Sequence, residues 1–139
     1  MQYQINLIQC LIAAITSMAV GFLWYSPILL GKPWMKEMGL TADKLKSKQK
    51  EMGKLYGLSF IIALITAYLL SYVMLLSESD FGSIITNGIT TAILMWLGFI
   101  MPVQLTDQIF GSKNWKLFMI NTGYQLVSLI MMGIVIAII

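Results

Sequence analysis

The chain has 139 residues, of which 58% are hydrophobic and 11% are charged, and its net charge is +3. Soluble domains are usually about 25% charged, whereas four stretches of this chain, 1–31, 55–77, 81–106 and 117–139, contain no charged side chain. This pattern excludes a water-soluble globule. Because histidine and arginine are absent and Cys10 is the only cysteine, we expect no metal site, no cofactor and no nucleic-acid partner.

The four uncharged stretches are long enough to cross a membrane as helices. A bilayer core about 30 Å thick requires about 20 apolar residues in a helix. The sequence therefore predicts an all-α, polytopic membrane protein with four transmembrane helices. We expect one domain, 1–139, with spans near residues 5–25, 55–76, 83–103 and 117–138 and a cytoplasmic linker, 32–54.

The distribution of lysines predicts how the chain is oriented. All nine lysines fall in the first and third linkers, which share one side of a four-span protein, while the second linker holds only Glu78 and Asp80. The positive-inside rule places the lysine-bearing linkers in the cytoplasm. We therefore expect a multi-pass protein with both termini outside.

The end of the first span combines aromatic residues, a serine and a proline. Trp24 and Tyr25 are typical of an anchor at headgroup depth. Pro27 is expected to break the helix and to free carbonyls near residue 23, which Ser26 or Tyr25 could satisfy. An alternative interpretation is a ligand-binding site at the broken helix end, to which Trp34 would contribute.

The first linker predicts a short helix that begins after an N-cap at Thr41. This helix either runs into the second span or breaks near Gly53. Its lysines set the topology on one interpretation and bind anionic lipid headgroups or a partner protein on the other. The candidate headgroup residues are Lys44, Lys46, Lys48 and Lys50.

Small residues recur at helical spacing within the spans, where they allow close helix packing. The predicted packing residues are Ala13, Ser17 and Gly21 in the first span and Ser59, Ala63, Ala67 and Ser71 in the second. Four short spans enclose little interior, so we also expect membrane lipids as neighbours and a homo-oligomer, with a dimer favoured.

Polar side chains within the fourth span have two interpretations. Asn121 and Gln125 lie four residues apart beside Tyr124, and they are costly in lipid without hydrogen-bond partners. They either bond to another helix or line a polar site. Asp107 is expected to pair with Lys113 or Lys116. The complete set of candidate ligand-binding residues is Trp24, Tyr25, Ser26, Pro27, Trp34, Asn121, Tyr124 and Gln125, and none is assigned a catalytic role.

The two halves of the chain resemble each other. Gly21-Phe22-Leu23 corresponds to Gly98-Phe99-Ile100, and Pro27 and Pro102 follow at similar distances. This similarity predicts two helix-hairpin repeats; its alternative explanation is the shared apolar, Gly-rich composition.

The element Gly21-Phe22-Leu23-Trp24-Tyr25-Ser26-Pro27 and the following Gly31-Lys32-Pro33-Trp34 resemble the signature of a bacterial family. This family consists of small four-span membrane proteins catalogued as a domain of unknown function. The resemblance implies four spans and a location in the bacterial cytoplasmic (inner) membrane. It also marks these positions as candidate functional residues, but it implies no activity.

The leading functional hypothesis is an integral membrane protein that binds or transports a small apolar or amphipathic molecule, or a lipid. The alternative is a structural or regulatory partner of another membrane protein, contacted through the lysine-rich linker. An enzyme is the least favoured class, because its chemistry would depend on Tyr, Ser, Lys or Asp107.

Overall fold

In the computed structural model, which describes residues 5–77, 82–111 and 114–139, the chain folds into helices. Four of them, Leu7–Trp24, Lys50–Leu76, Ile84–Phe110 and Trp115–Ile138, are long and apolar enough to cross a membrane. The predicted all-α fold with four candidate spans is therefore confirmed. In chain order the elements are α1 (Leu7–Trp24), α2 (Gly31–Met38), α3 (Ala42–Ser47), α4 (Gln49–Leu76), α5 (Ile84–Met95), a π-helical turn (Trp96–Ile100), α6 (Met101–Phe110) and α7 (Trp115–Ile138).

Polar side chains cap the beginnings of three spans. Asn6 Oδ1 accepts from the amide of Ile8 at the start of α1, and Ser83 caps α5 in the same way. Asn114 Oδ1 accepts from the amide of Leu117 at the start of α7. Each cap satisfies a backbone donor that has no partner within its own helix.

The first linker is helical over most of its length. Thr41 Oγ1 accepts from the amide of Lys44 at 3.3 Å, which confirms Thr41 as the cap of α3. The break before the second span lies at Lys48, between α3 and α4, and the helix continues through Gly53. The alternative of a break near Gly53 is therefore wrong.

The transmembrane helices pack around α7. This helix contacts both α1 and α5, while α4 packs mainly against α1. The buried centre of the bundle contains Ala13, Ala67, Ala92, Leu129 and Met132. Aliphatic and aromatic side chains cover much of the outer surface. Such a surface is compatible with the acyl chains of a surrounding bilayer.

Glycines produce the closest approach between α5 and α7. A Cβ atom built on Gly88 would lie 2.5 Å from the carbonyl oxygen of Gly133, and a Cβ on Gly133 would lie 2.5 Å from that of Gly88. The two backbones therefore meet at a distance that only glycine permits on both sides.

Most of the predicted packing residues lie inside the bundle. Ala13, Ser17, Ala63, Ala67 and Ser71 are buried, and half-buried Gly21 faces the ring of Tyr124. Ser59 is exposed, contrary to its predicted packing role. Phe22 of α1 packs against Tyr56, three residues before Ser59, so α1 reaches this level of α4, but Ser59 lies on the exposed surface of the helix.

The third candidate span is longer than the predicted range 83–103, because the helix continues through the π-helical turn and α6 to Phe110. Pro102 lies at the beginning of α6, a position at which its missing N–H is tolerated. At 1.5 Å per residue, 27 helical residues extend about 40 Å. The last turns of α6 therefore reach beyond a bilayer core of ordinary thickness.

The two halves do not pack equivalently. Within each half the helix pair, α1 with α4 or α5 with α7, packs closely, but between the halves α1 packs closely against α7, whereas α4 and α5 contact each other less extensively. The internal repeat therefore stays a prediction. We call the end of the bundle at which α1 terminates and α4 and α7 begin the lysine end, because the lysines of α2, α3 and the start of α4 lie there.

Candidate functional site

The turn after α1 is built by local hydrogen bonds around Pro27. The hydroxyl of Ser26 donates to the carbonyl oxygen of Leu23 at 2.7 Å, which confirms that Ser26 satisfies a carbonyl near residue 23. The amide of Leu30 donates to the carbonyl of Trp24 at 3.0 Å. These bonds close a compact turn and direct the chain back toward the bundle.

Gly31 allows α2 to begin directly against this turn. It is buried, and a Cβ atom at this position would overlap the carbonyl oxygen of Tyr25 and the backbone of Ser26. As a result, the ring of Trp34 in α2 lies edge-on to the ring of Tyr25, with 5.1 Å between the ring centroids.

The aromatic cluster, which we define as Trp24, Tyr25, Trp34 and Tyr124, joins α1 and α2 to α7. The indole N–H of Trp24 donates to a backbone carbonyl of α7, that of Ile120, at 2.9 Å. The rings of Tyr25 and Tyr124 are 5.4 Å apart. Segments about one hundred residues apart in the chain thus form one cluster.

Tyr25 connects this cluster to a polar side chain of α7. Its hydroxyl donates to Asn121 Oδ1 at 2.7 Å. Burial, together with the neighbouring Tyr124, raises the pKa of Tyr25 to about 12. The phenol is therefore neutral at physiological pH and can donate this hydrogen bond.

A second tryptophan binds α7 close to the cluster. The indole N–H of Trp96 donates to the carbonyl of Thr122 at 2.9 Å, two residues from the carbonyl that Trp24 uses. Gly123 follows Thr122, and a Cβ there would be 3.1 Å from the Trp24 ring. Trp96 was not predicted as a site residue. The available signal is that a tryptophan inside an apolar span needs an acceptor for its N–H.

A polar cavity of about 330 Å³ lies next to Asn121, between α6 and α7 at the lysine end. We call it the α6–α7 cavity. Four of its six lining side chains carry a carboxylate or a carboxamide, in contrast to the apolar surface of the spans. The lining residues are Gln104, Asp107, Gln108, Leu117, Phe118 and Asn121.

Hydrogen bonds hold the carboxamides of this cavity in place. Buried Gln108 donates through Nε2 to the carbonyl of Asn114 at 2.8 Å and accepts from the amide of Asn114 at 3.2 Å. Gln104 Oε1 accepts from the hydroxyl of Thr122 at 2.9 Å. The site is therefore attached to both helices before any ligand enters.

Asp107 is the only acid among the described residues of the cavity lining, and it is exposed. The pairing predicted for Lys116 is wrong, because Lys116 Nζ lies 3.8 Å from Glu37 Oε1 instead. Glu37 also accepts from Asn114 Nδ2 at 3.0 Å, so the Glu37 carboxylate has two donors. The other predicted partner, Lys113, lies outside the described residues.

The remaining predicted ligand residues lie apart from the α6–α7 cavity. Ser26 bonds within its own turn, and Pro27 is exposed. Gln125 is half-buried, and its side chain forms no hydrogen bond with any residue that the structure describes. The structure thus gathers the aromatic cluster and Asn121, but it does not gather all eight candidates. The four candidate headgroup lysines are all exposed, on α3, at Lys48 and at the start of α4.

A second cavity, of about 300 Å³, lies at the opposite end, among α1, α4, α5 and α7. Its lining is mainly apolar. Its most buried polar residue, Asn87, donates to the carbonyl of Met74 at 2.7 Å and accepts from the hydroxyls of Ser77 and Thr91. Asn87 is therefore already satisfied by protein groups.

Neither cavity offers a metal site: within the described ranges, no group of three or more His, Cys, Asp or Glu residues could hold an ion. No curated protein and no solved structure matches the chain. A family model with the description "Protein of unknown function (DUF1761)" matches residues 8–137. Together with the four apolar helices, this match over nearly the whole length identifies the chain as a member of the DUF1761 family of proteins of unknown function.

Proposed function

We propose that this membrane protein binds an amphipathic molecule, and specifically a lipid, in the α6–α7 cavity. The observation that carries the proposal is a polar cavity at the end of two helices whose other side chains are largely apolar. Val103 and Phe110 of α6 are exposed. A polar head would occupy the cavity, and an apolar tail would lie along these side chains.

The aromatic cluster has a supporting role in this proposal. Trp24 is bonded to the backbone of α7, and the hydroxyl of Tyr25 is bonded to Asn121. Of the eight candidate ligand residues, only Asn121 lines the α6–α7 cavity. The cluster fixes the position of Asn121, whose carboxamide lines the cavity.

Binding is better supported than transport. The middle of the bundle is filled by buried Ala13, Ala92, Leu129 and Met132, and the backbones of Gly88 and Gly133 meet in the same layer of helices. The two cavities lie at opposite ends of this packed region. Close-packed protein therefore separates a molecule in the α6–α7 cavity from the opposite end of the bundle.

The proposal can be tested by filling the cavity. Leu117 lines it, whereas Met119 is an exposed residue of the same helix, so Leu117→Trp and Met119→Trp form a matched pair. We expect native mass spectrometry of the purified protein with added phospholipid to show bound lipid in the wild type and in M119W, and much less in L117W. Equal lipid retention by L117W and M119W would contradict the proposal.

A second candidate function is contact between the lysine-rich linker and an acidic partner protein. Lys44, Lys46, Lys48 and Lys50 are all exposed, and none of them forms an ion pair within the described part of the chain. Cross-linking in membranes tests this alternative. If neutralising the four lysines leaves all cross-links to other proteins unchanged, the linker is not the contact.

The proposed setting is the cytoplasmic (inner) membrane of a bacterium, with the lysine end in the cytoplasm and the protein as a homodimer. The exposed lysines at that end support this orientation. Cysteine accessibility at a tagged C-terminus tests it: labelling from the cytoplasmic side would overturn the orientation. If light scattering of the detergent-solubilised protein gives the mass of a single chain, the proposed dimer is overturned.

A further inference from the structure

We infer that the α6–α7 cavity selects a head that carries a primary ammonium group, with Asp107 as the counter-charge. This inference rests on the proposed function and specifies its ligand. Among the residues that the structure describes, the cavity lining contains one carboxylate, three carboxamides and no lysine. The fixed charge of these lining residues is therefore negative, which favours a cation.

The hydrogen-bonding groups suit a primary ammonium in particular. Such a group has three N–H donors and no acceptor. Asp107 offers two carboxylate oxygens, and charge-assisted hydrogen bonds to a carboxylate are about twice as strong as neutral ones. Asn121 Oδ1 accepts one bond from Tyr25, and a carboxamide oxygen has a second lone pair that remains for the ligand.

Two other common head chemistries fit less well. A quaternary ammonium is recognised by several aromatic rings that surround it, and Phe118 is the only aromatic side chain among the described lining residues. An anionic head would meet Asp107, while the nearby Lys116 is held by Glu37. The cavity therefore discriminates against both choline-type and anionic heads.

The ammonium group could belong to an aminoethyl phospholipid or to a small soluble amine, because both present the same chemistry to Asp107. The apolar side chains beside the cavity, among them Val103 and Phe110, favour the lipid. The two sources differ in their tails, so an experiment with both types of ligand separates them.

The test measures the affinity of the purified full-length protein for phosphatidylethanolamine, phosphatidylcholine and phosphatidylglycerol of equal chain length, and for ethanolamine. Asp107→Asn removes the counter-charge, and Asp43→Asn is the control because Asp43 is an exposed carboxylate on α3, away from the cavity lining. We expect the wild type and D43N to prefer phosphatidylethanolamine over the other lipids by about tenfold. The preference should fall to less than about twofold in D107N.

Each other outcome has a definite meaning. Equal affinity for the three lipids, still blocked by L117W, overturns the ammonium inference and leaves lipid binding in the cavity supported. A preference for phosphatidylethanolamine that persists in D107N overturns the assignment to Asp107. Binding of ethanolamine but of no lipid, lost in D107N, supports the amine chemistry and overturns the lipid proposal. Binding of none of the four ligands overturns both.

Discussion

The contact between Gly88 and Gly133 makes the most direct stability prediction. Gly88→Ala and Gly133→Ala each place a methyl group 2.5 Å from a carbonyl oxygen of the opposite helix. Because the obstacle is backbone, it cannot rotate aside as a side chain would. We expect both variants to force α5 and α7 apart and to destabilise the folded protein.

The magnitude follows from the geometry. An ordinary Cβ contact lies at about 3.4 Å or beyond, so the helices must separate by about 0.9 Å at the crossing. Overpacking of this kind costs about 1–3 kcal/mol, and a rigid backbone obstacle places the cost near the upper value. Alanine recovers up to about 1 kcal/mol through its higher helix propensity. The expected net loss is about 2 kcal/mol, or roughly 30-fold in the unfolding equilibrium.

The assay is denaturation by sodium dodecyl sulfate in mixed micelles, followed by tryptophan fluorescence. Gly57→Ala is the matched control, because a Cβ on Gly57 meets no described atom within 4 Å. We expect G57A to be as stable as the wild type or slightly more stable, and the double variant G88A/G133A to lose less than the sum of the two single losses. If G88A and G133A prove as stable as G57A, the reasoning is refuted.

Three further predictions concern the turn, the aromatic cluster and the α1–α7 contact. Gly31→Ala, whose Cβ would overlap the carbonyl of Tyr25, should lower the thermal midpoint by the equivalent of about 1–3 kcal/mol. Tyr25→Phe should cost about 1 kcal/mol by removing the bond to Asn121. The pKa of Tyr25 is raised to about 12 in the folded protein, whereas an unfolded tyrosine has a pKa near 10. The wild type should therefore lose stability as the pH rises from about 10 to about 12. An equal loss of stability in Y25F over this range would contradict the assignment. Ser17→Ala breaks the 2.7 Å hydrogen bond to Ser128 and should cost about 0.6 kcal/mol, the average for such bonds in a membrane. In denaturation curves, the losses of unfolding free energy in Ser17→Ala and Ser128→Ala should sum to more than the loss in the double variant. Full additivity would show that the bond contributes nothing.

The four spans could be predicted because charge is excluded from a bilayer regardless of how the helices pack. The distribution of charged residues locates the spans before any tertiary contact is considered. The third span shows where this signal ends. The predicted span ends at residue 103, before the charge of Asp107, whereas the helix continues through the π-helical turn and α6 to Phe110, because the charge pattern marks the part of a helix that suits lipid and not the end of the helix itself.

The candidate site was predictable only in part, for a related reason. Trp24, Tyr25 and Asn121 were recognisable because aromatic and amide groups in or near lipid need partners. Which partner each one has depends on how α1 and α7 pack, and no spacing in the sequence specifies that. Gln104 and Gln108 were missed because they were assigned to a loop, where a polar side chain needs no explanation.

The position of α7 connects the aromatic cluster to ligand binding. Asn121 lines the α6–α7 cavity on one side and accepts from Tyr25 on the other, so Tyr25 acts as a positioning residue. Tyr25→Phe should therefore weaken lipid binding although Tyr25 itself does not line the cavity. It should reduce the preference among lipid heads much less than D107N does, because the counter-charge of Asp107 is untouched. Asp107→Asn should do the reverse and change the preference without changing stability. If both variants alter affinity and selectivity in the same proportion, the separation between a positioning residue and a charge-selecting residue fails.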